Sequence, residues 1–195
     1  LAEVEVFGPT RAAPSLDLAD MVGGGDGTGS GLAAGISVVT GAPTETSRGS
    51  IDGGPVNTYH PVAAHPFIDG VFVPDGGAGA TTPVPVTSTG VMAVGISDTN
   101  GASWDEIWNG DNTGVSGGPT TTSRLGMHAS KGITFDLDAI EAANPGKAAA
   151  VFRSIAATGN CAGASTDMYV LLDGAIVDST SLNGVNQASQ RTVPI

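Results

Sequence analysis

At 195 residues with 40% hydrophobic side chains, the chain has the size of one domain and enough apolar material for its own core. Seven basic residues against nineteen acidic ones leave a net charge of −12, which opposes the phosphate neutralisation needed to bind nucleic acid or an anionic membrane surface. No apolar run approaches the roughly 18 residues that span a bilayer, and the single cysteine, Cys161, excludes an intrachain disulfide and reads as a small buried thiol, with an intermolecular disulfide as the alternative.

Thirty glycines and twelve prolines, with abundant Ser and Thr, describe many short strands joined by turns, so a single all-β domain over residues 1–195 is expected. Only 13% of residues are charged. The remaining polar surface, rich in neutral hydroxyls, suits a secreted or cell-surface location. Leu1 to Phe7 alternate as a strand and carry no basic, apolar leader, which reads as a mature or internal start and the chain as a fragment of a longer protein.

In chain order, Val4 and Val6 alternate with Glu3 and Glu5 ahead of a Gly8-Pro9 turn. Asp17 to Val22 reads as a short strand or helical turn, followed by a glycine-rich loop, Gly23 to Gly31, without regular structure. Ile36 to Val39 is a candidate strand, and Thr40 to Pro55 a long loop. Phe67 to Val73 is the clearest strand of the first half, whereas Pro83 and Pro85 limit Thr81 to Thr87 to a sheet edge. Gly90 to Ile96 reads as a short buried strand, and Asp98 to Gly101 as a turn.

Asn109 to Ser123 is a long polar loop. Gly132 to Leu137 then alternates with Ile133, Phe135 and Leu137 facing inward. Asp138, with Glu141 three residues on, has capping-box spacing for a short surface helix near 138–144, which Asn144-Pro145-Gly146 ends. Ala148 to Ala156 and Met168 to Val177 supply further strands, with a bend or hairpin at Asp173-Gly174, and Thr192 to Ile195 begins another. Roughly eight to eleven strands with turns at regular intervals predict a β-sandwich of jelly-roll type.

The residues His128-Ala129, with the strand Ile133 to Leu137, resemble the NPCBM family of carbohydrate-binding modules. His65 to Gly77, Asp17 to Gly27 and Met168 to Gly174 resemble segments that accompany such modules in large bacterial surface proteins, including ones with FecR-like regions. The resemblance implies a galactose-binding-like jelly roll and a tendency to bind sugars, and it carries no catalytic signature.

Sugar sites combine a flat aromatic face with a few well-placed planar polar groups in a concave setting. Trp104 and Trp108 lie among Asp98, Asn100, Asp105, Asn109, Asp111 and Asn112, the densest cluster of both ingredients, so this stretch is the expected ligand loop. Closing the core is the other role open to the two tryptophans. Tyr59, in Asn57-Thr58-Tyr59-His60, is a second candidate.

Asp105, Glu106, Asp111 and Asn112 of the same loop, with Asp98 and Asn100, offer oxygen ligands for a structural calcium, as do Asp20 and Asp26 around the glycine loop, although neither run has EF-hand spacing and solvated acidic loops are the other reading. No other cofactor is expected. His60 and His65 lie five apart with His128 remote and no matching carboxylate motif, so they do not define a metal site, and His128 reads as a half-buried ring bonded to the backbone.

Gly114-Val115-Ser116-Gly117-Gly118 matches the GxSxG string but lies in a polar loop, not between strand and helix. Nothing singles out a carboxylate pair for glycoside hydrolysis. The sequence therefore points to a non-catalytic carbohydrate-binding module, with carbohydrate and the rest of a larger surface protein as partners. The alternative is a structural subunit of a bacterial surface filament, sheath or lattice, in which copies of the chain assemble by strand exchange.

Overall fold

The computed structural model describes residues 2–5, 15–32, 34–44, 55–74, 82–96, 106–109, 125–127, 130–158, 165–185 and 187–195. Their elements in chain order are β1 (Ala2–Glu5), β2 (Ser15–Asp17), α1 (Leu18–Val22), β3 (Gly35–Ser37), β4 (Pro43–Thr44), β5 (Thr58–Pro61), β6 (Ile68–Val73), β7 (Val84–Pro85), β8 (Met92–Ala93), β9 (Glu106–Asn109), β10 (Leu125–Met127), β11 (Gly132–Phe135), α2 (Leu137–Ala143), β12 (Val151–Ala157), β13 (Ser165–Leu172), β14 (Ala175–Asn183) and β15 (Ala188–Pro194). The chain is all-β, as composition predicts. Its strands form small antiparallel sheets, ordered β15-β12-β1-β2, β10-β9-β3-β4, β11-β6-β5, β13-β14 and β7-β8, none of which closes on itself.

Strand β6, the middle of the β11-β6-β5 sheet, is buried on both faces. Alternation along β6 sends Val71 and Val73 to one side and Gly70 and Phe72 to the other. Val71 and Val73 join Ile36 of β3, Ile107 of β9 and Val22 of α1 in one apolar cluster, which binds this sheet to β10-β9-β3-β4. Phe72 joins Val84, Val86, Ala93 and Ile96, with Tyr59, Tyr169 and Leu171 packed against them, so the β7-β8 and β13-β14 hairpins cover the second side. Leu16, Leu18, Met21 and Ile140 form a further cluster with Phe67, Phe135, Leu137 and Phe152, seating both helices against the sheet that holds β2 and β12. Each fully buried Val, Ile or Met in these clusters contributes about 1.5–3 kcal/mol.

Two glycines make the second side possible. Gly132 stands opposite Phe72, and a Cβ there would fall inside the Phe72 ring. Gly70 lies beneath the phenol of Tyr59 in the same way. The outer ends of both rings therefore reach over neighbouring strands, into space that only glycine leaves open.

The β13-β14 hairpin turns on Asp173 and Gly174, both at positive φ (50° and 79°), the left-handed pair that a two-residue type I′ turn requires. Arg191 of β15 grips the Asp178 carboxylate of β14 with two nitrogens, Nε donating to Oδ2 at 2.6 Å and an Nη donating to Oδ1, so an ion pair ties this hairpin to the four-stranded sheet. The pairing lowers the Asp178 pKa and raises that of Arg191.

Several expectations change. The second helix is capped by Asp136, whose carboxylate accepts the Ala139 N–H at 2.9 Å, and not by Asp138, which sits in the first turn. Leu137 accordingly belongs to the helix and not to the strand. Glu141 does not complete a capping box but accepts the Ala149 N–H at 2.7 Å. Nor does the helix lie wholly at the surface, because Ile140 is buried.

Gly90 to Ile96 is not a buried strand. Only Met92 and Ala93 pair, and Met92 and Val94 are exposed while Ala93 and Ile96 are buried. Thr40 to Pro55 holds the short strand β4. Tyr59 lies in strand β5, and the final strand starts at Ala188 and not at Thr192, pairing with β12 over seven residues. Cys161, His128 and the GxSxG string lie outside the described residues.

Replacing Gly132 with alanine should destabilise the fold by about 1–3 kcal/mol, the cost of overpacking a filled core. Urea unfolding measures it, and the cost should shrink in a Gly132→Ala/Phe72→Leu double variant, because the two residues occupy the same space.

Candidate functional site

Of the expected ligand loop, Trp104, Asp105, Asp111 and Asn112 lie outside the described residues, as do the calcium candidates Asp98 and Asn100. Trp108 and Asn109 belong to β9, in the interior of the β10-β9-β3-β4 sheet. At its register position Trp108 stands between Gly35 of β3 and Gly126 of β10, and Asn109 stands opposite Leu125.

Tyr59 is the one candidate whose surroundings are fully described. Its ring covers Gly70, and its hydroxyl is buried with no partner in hydrogen-bond geometry. Burial first, and then the Asp69 carboxylate, push the phenol pKa up, so the group stays a neutral donor. The Asp69 oxygens are engaged by Ser88, through its backbone N–H to Oδ2 at 2.8 Å and its hydroxyl to Oδ1. Tyr59 thus marks the edge of an Asp69–Ser88 bond that clips the β7-β8 turn onto β6.

A second tyrosine borders the same apolar cluster. Tyr169 of β13 packs against it, with its pKa raised by burial and then by Asp167. Register places Ser165, Asp167 and Tyr169 opposite Asn183, Ser181 and Ser179, so one face of the hairpin carries a row of hydroxyl, carboxylate and amide groups. All are exposed except half-buried Tyr169. Within the row the Ser165 hydroxyl donates to Asn183 Oδ1 at 2.7 Å, and the Ser181 hydroxyl donates to Asp167. The face presents preoriented polar groups running out from an aromatic ring.

Sequence reasoning missed this face. Its signal was the period-2 spacing of Ser165, Asp167, Tyr169 and of Ser179, Ser181, Asn183, which only the pairing of β13 with β14 turns into one surface.

The glycine loop has no regular structure, as expected, and winds around a buried carboxylate. Asp20 is 3% exposed, and its Oδ2 and Oδ1 accept the N–H groups of Gly27 at 2.8 Å and Gly31 at 2.6 Å. The N–H of Gly25 reaches the Asp20 carbonyl at 3.0 Å. A Cβ on Gly25 or Gly31 would collide with Asp20 itself, which is why glycine recurs here. Asp26 accepts the N–H and hydroxyl of Thr28 and the hydroxyl of Ser30, and these bonds lower its pKa. Both carboxylates face donors of their own loop, the geometry of an anion held by N–H and O–H groups, and no group of three or more metal-ligating side chains occurs among the described residues.

His60 and His65 each bury an Nε2 atom without a hydrogen-bond partner. His65 lies against the loop at Gly24. No family model, curated protein or solved structure matches the chain.

An Asp20→Asn variant keeps the shape but turns a donor toward one of the two loop amides. It should lose about 1–3 kcal/mol of stability, the cost of an unsatisfied buried group, and hydrogen exchange should report faster exchange at Gly27 or Gly31.

Proposed function

We propose that the chain is a non-catalytic carbohydrate-binding module or accessory domain of a secreted or cell-surface protein, of the NPCBM-like, galactose-binding-like jelly-roll type. The observation that supports it best is the exposed face of the β13-β14 hairpin, where Ser165, Asp167, Ser179, Ser181 and Asn183 extend from Tyr169. Hydroxyl, carboxylate and amide groups bond ring hydroxyls, and the phenol supplies an apolar face for a pyranose. Trp104 and Trp108, with Asp105, Asn109, Asp111 and Asn112, are the second surface proposed to contact sugar, and a structural calcium held by Asp98 and Asn100 belongs to the same reading. The net charge of −12 favours neutral glycans over sulfated or uronic ones.

A glycan array followed by calorimetry tests the proposal. Binding to a neutral glycan should weaken at least tenfold in Tyr169→Ala and severalfold in Asp167→Ala, with the melting temperature of each variant monitored alongside. Failure of every glycan to bind, or undiminished binding in both variants, counts against this face.

A second reading is a structural subunit that assembles by strand exchange. It draws support from β15, which ends the order β15-β12-β1-β2, and from β13, which pairs only with β14 among the described residues. Such edges accept further strands. Light scattering after size exclusion should then show mass rising with concentration and filaments by negative stain, whereas a monodisperse monomer at high concentration opposes assembly.

A further inference from the structure

The β5-β6 corner meets the glycine loop at one side chain. His65 is held in the turn by its own carbonyl, which accepts the Ile68 N–H at 3.2 Å, and the turn is closed by the Val62 N–H bonding to the Asp69 carbonyl at 3.1 Å. Its ring lies against Gly24, where a Cβ would sit 3.3 Å from Cε1 and 3.6 Å from Nδ1. Gly24 is in the left-handed region (φ 79°) and its N–H caps the Met21 carbonyl at 3.0 Å, so it is the hinge at which helix α1 becomes the loop wound on Asp20.

We infer that His65 is an acid-sensitive latch: neutral, it packs on Gly24 and holds the glycine loop closed over Asp20, and protonated, it swings to water and lets that loop open. The Nε2 atom is buried and has no acceptor. A proton there would create a charged N–H in a place that offers it nothing, and water is the nearest relief.

The carboxylates on the elements packed around the corner do not alter this. Asp17 accepts the Ala19 and Asp20 N–H groups, Asp20 those of Gly27 and Gly31, Asp26 the donors of Thr28 and Ser30, and Asp69 those of Ser88. Neighbouring His60 has its own buried Nε2.

Burial alone is the cause that lowers the His65 pKa from its ordinary 6.5. The closed state therefore disfavours the proton, and the opened chain takes it first. Stability of the latch is complete above about pH 6.5 and is lost as pH falls from there through the lower pKa of the closed state.

Hydrogen exchange of peptides covering residues 20–32, at pH 7.5 and 5.0 and corrected for intrinsic rates, tests the latch on the intact chain. Protection should fall severalfold at pH 5.0 in the wild type, with much smaller change in peptides from β12 and β15. In His65→Gln the protection should no longer depend on pH, while His60→Gln should retain the wild-type response. Equal protection at both pH values, or an unaltered response in His65→Gln, overturns the inference. Should that variant not fold, an NMR titration of His65 in the wild type decides instead: a pKa at or above 6.5 overturns it as well.

Discussion

Strand β6 is the constraint from which the architecture follows. A strand buried on both faces needs apolar cover on each, and two kinds of side chain supply it: valines on one side and an aromatic lying over glycine on the other. The valine side accepts a second sheet because Ile36 and Ile107 are themselves fully buried and offer a matching apolar surface. The Phe72 side is covered by two hairpins, the short β7-β8 and the long β13-β14, packed against Phe72 and Tyr59. The asymmetry of those two faces decides where polar function can stand. The valine face leads into a core, whereas the aromatic face ends in two tyrosines, Tyr59 with its hydroxyl buried and Tyr169 half-buried beside exposed polar groups.

Among the described residues, several carboxylates are held by backbone N–H groups and hydroxyls, in keeping with only seven basic residues in the chain. Asp20 is stabilised by loop amides, Asp26 by Thr28 and Ser30, Asp69 by Ser88 and Asp167 by Ser181, and Asp178 takes one of the few cations. Charge-assisted bonds to N–H and O–H donors are stronger than neutral ones, which lets a strongly acidic chain bury or fix carboxylates without a lysine or arginine for each. The glycines serve that arrangement, because Gly25 and Gly31 bring backbone N–H groups and carbonyls to distances that any side chain would prevent.

What was legible in the sequence was local. β6, β11, the helix stop at Asn144-Pro145-Gly146 and the hairpin at Asp173-Gly174 all follow from alternation and turn chemistry over a few residues. The capping residue of α2 was misplaced by two residues because Asp136 and Asp138 are both chemically suitable, and only the point at which the backbone turns helical, Leu137, chooses between them. The order of the glycine loop was illegible because its organiser, Asp20, lies before the loop in sequence and is paired across seven and eleven residues. The polar face of β13-β14 was hidden for the same reason, since its two rows are separated by the turn that brings them together.

The two candidate surfaces carry different kinds of aromatic residue, and the difference is physical. A tryptophan in sequence announces a large apolar area but not the side of a sheet it serves, and Trp108 stands in the interior strand β9 between two glycine positions. Tyrosine carries its own test, because a phenol at the rim of a core keeps one polar atom that must face either solvent or a partner. Tyr59 and Tyr169 both pack on the Phe72 cluster, yet they differ in that respect: the Tyr59 hydroxyl is buried beside Asp69, while Tyr169 opens onto an exposed row of polar side chains. A residue that joins a rigid apolar cluster to a solvated polar row has the two properties recognition requires, fixed position and access, and of the two tyrosines only Tyr169 has both.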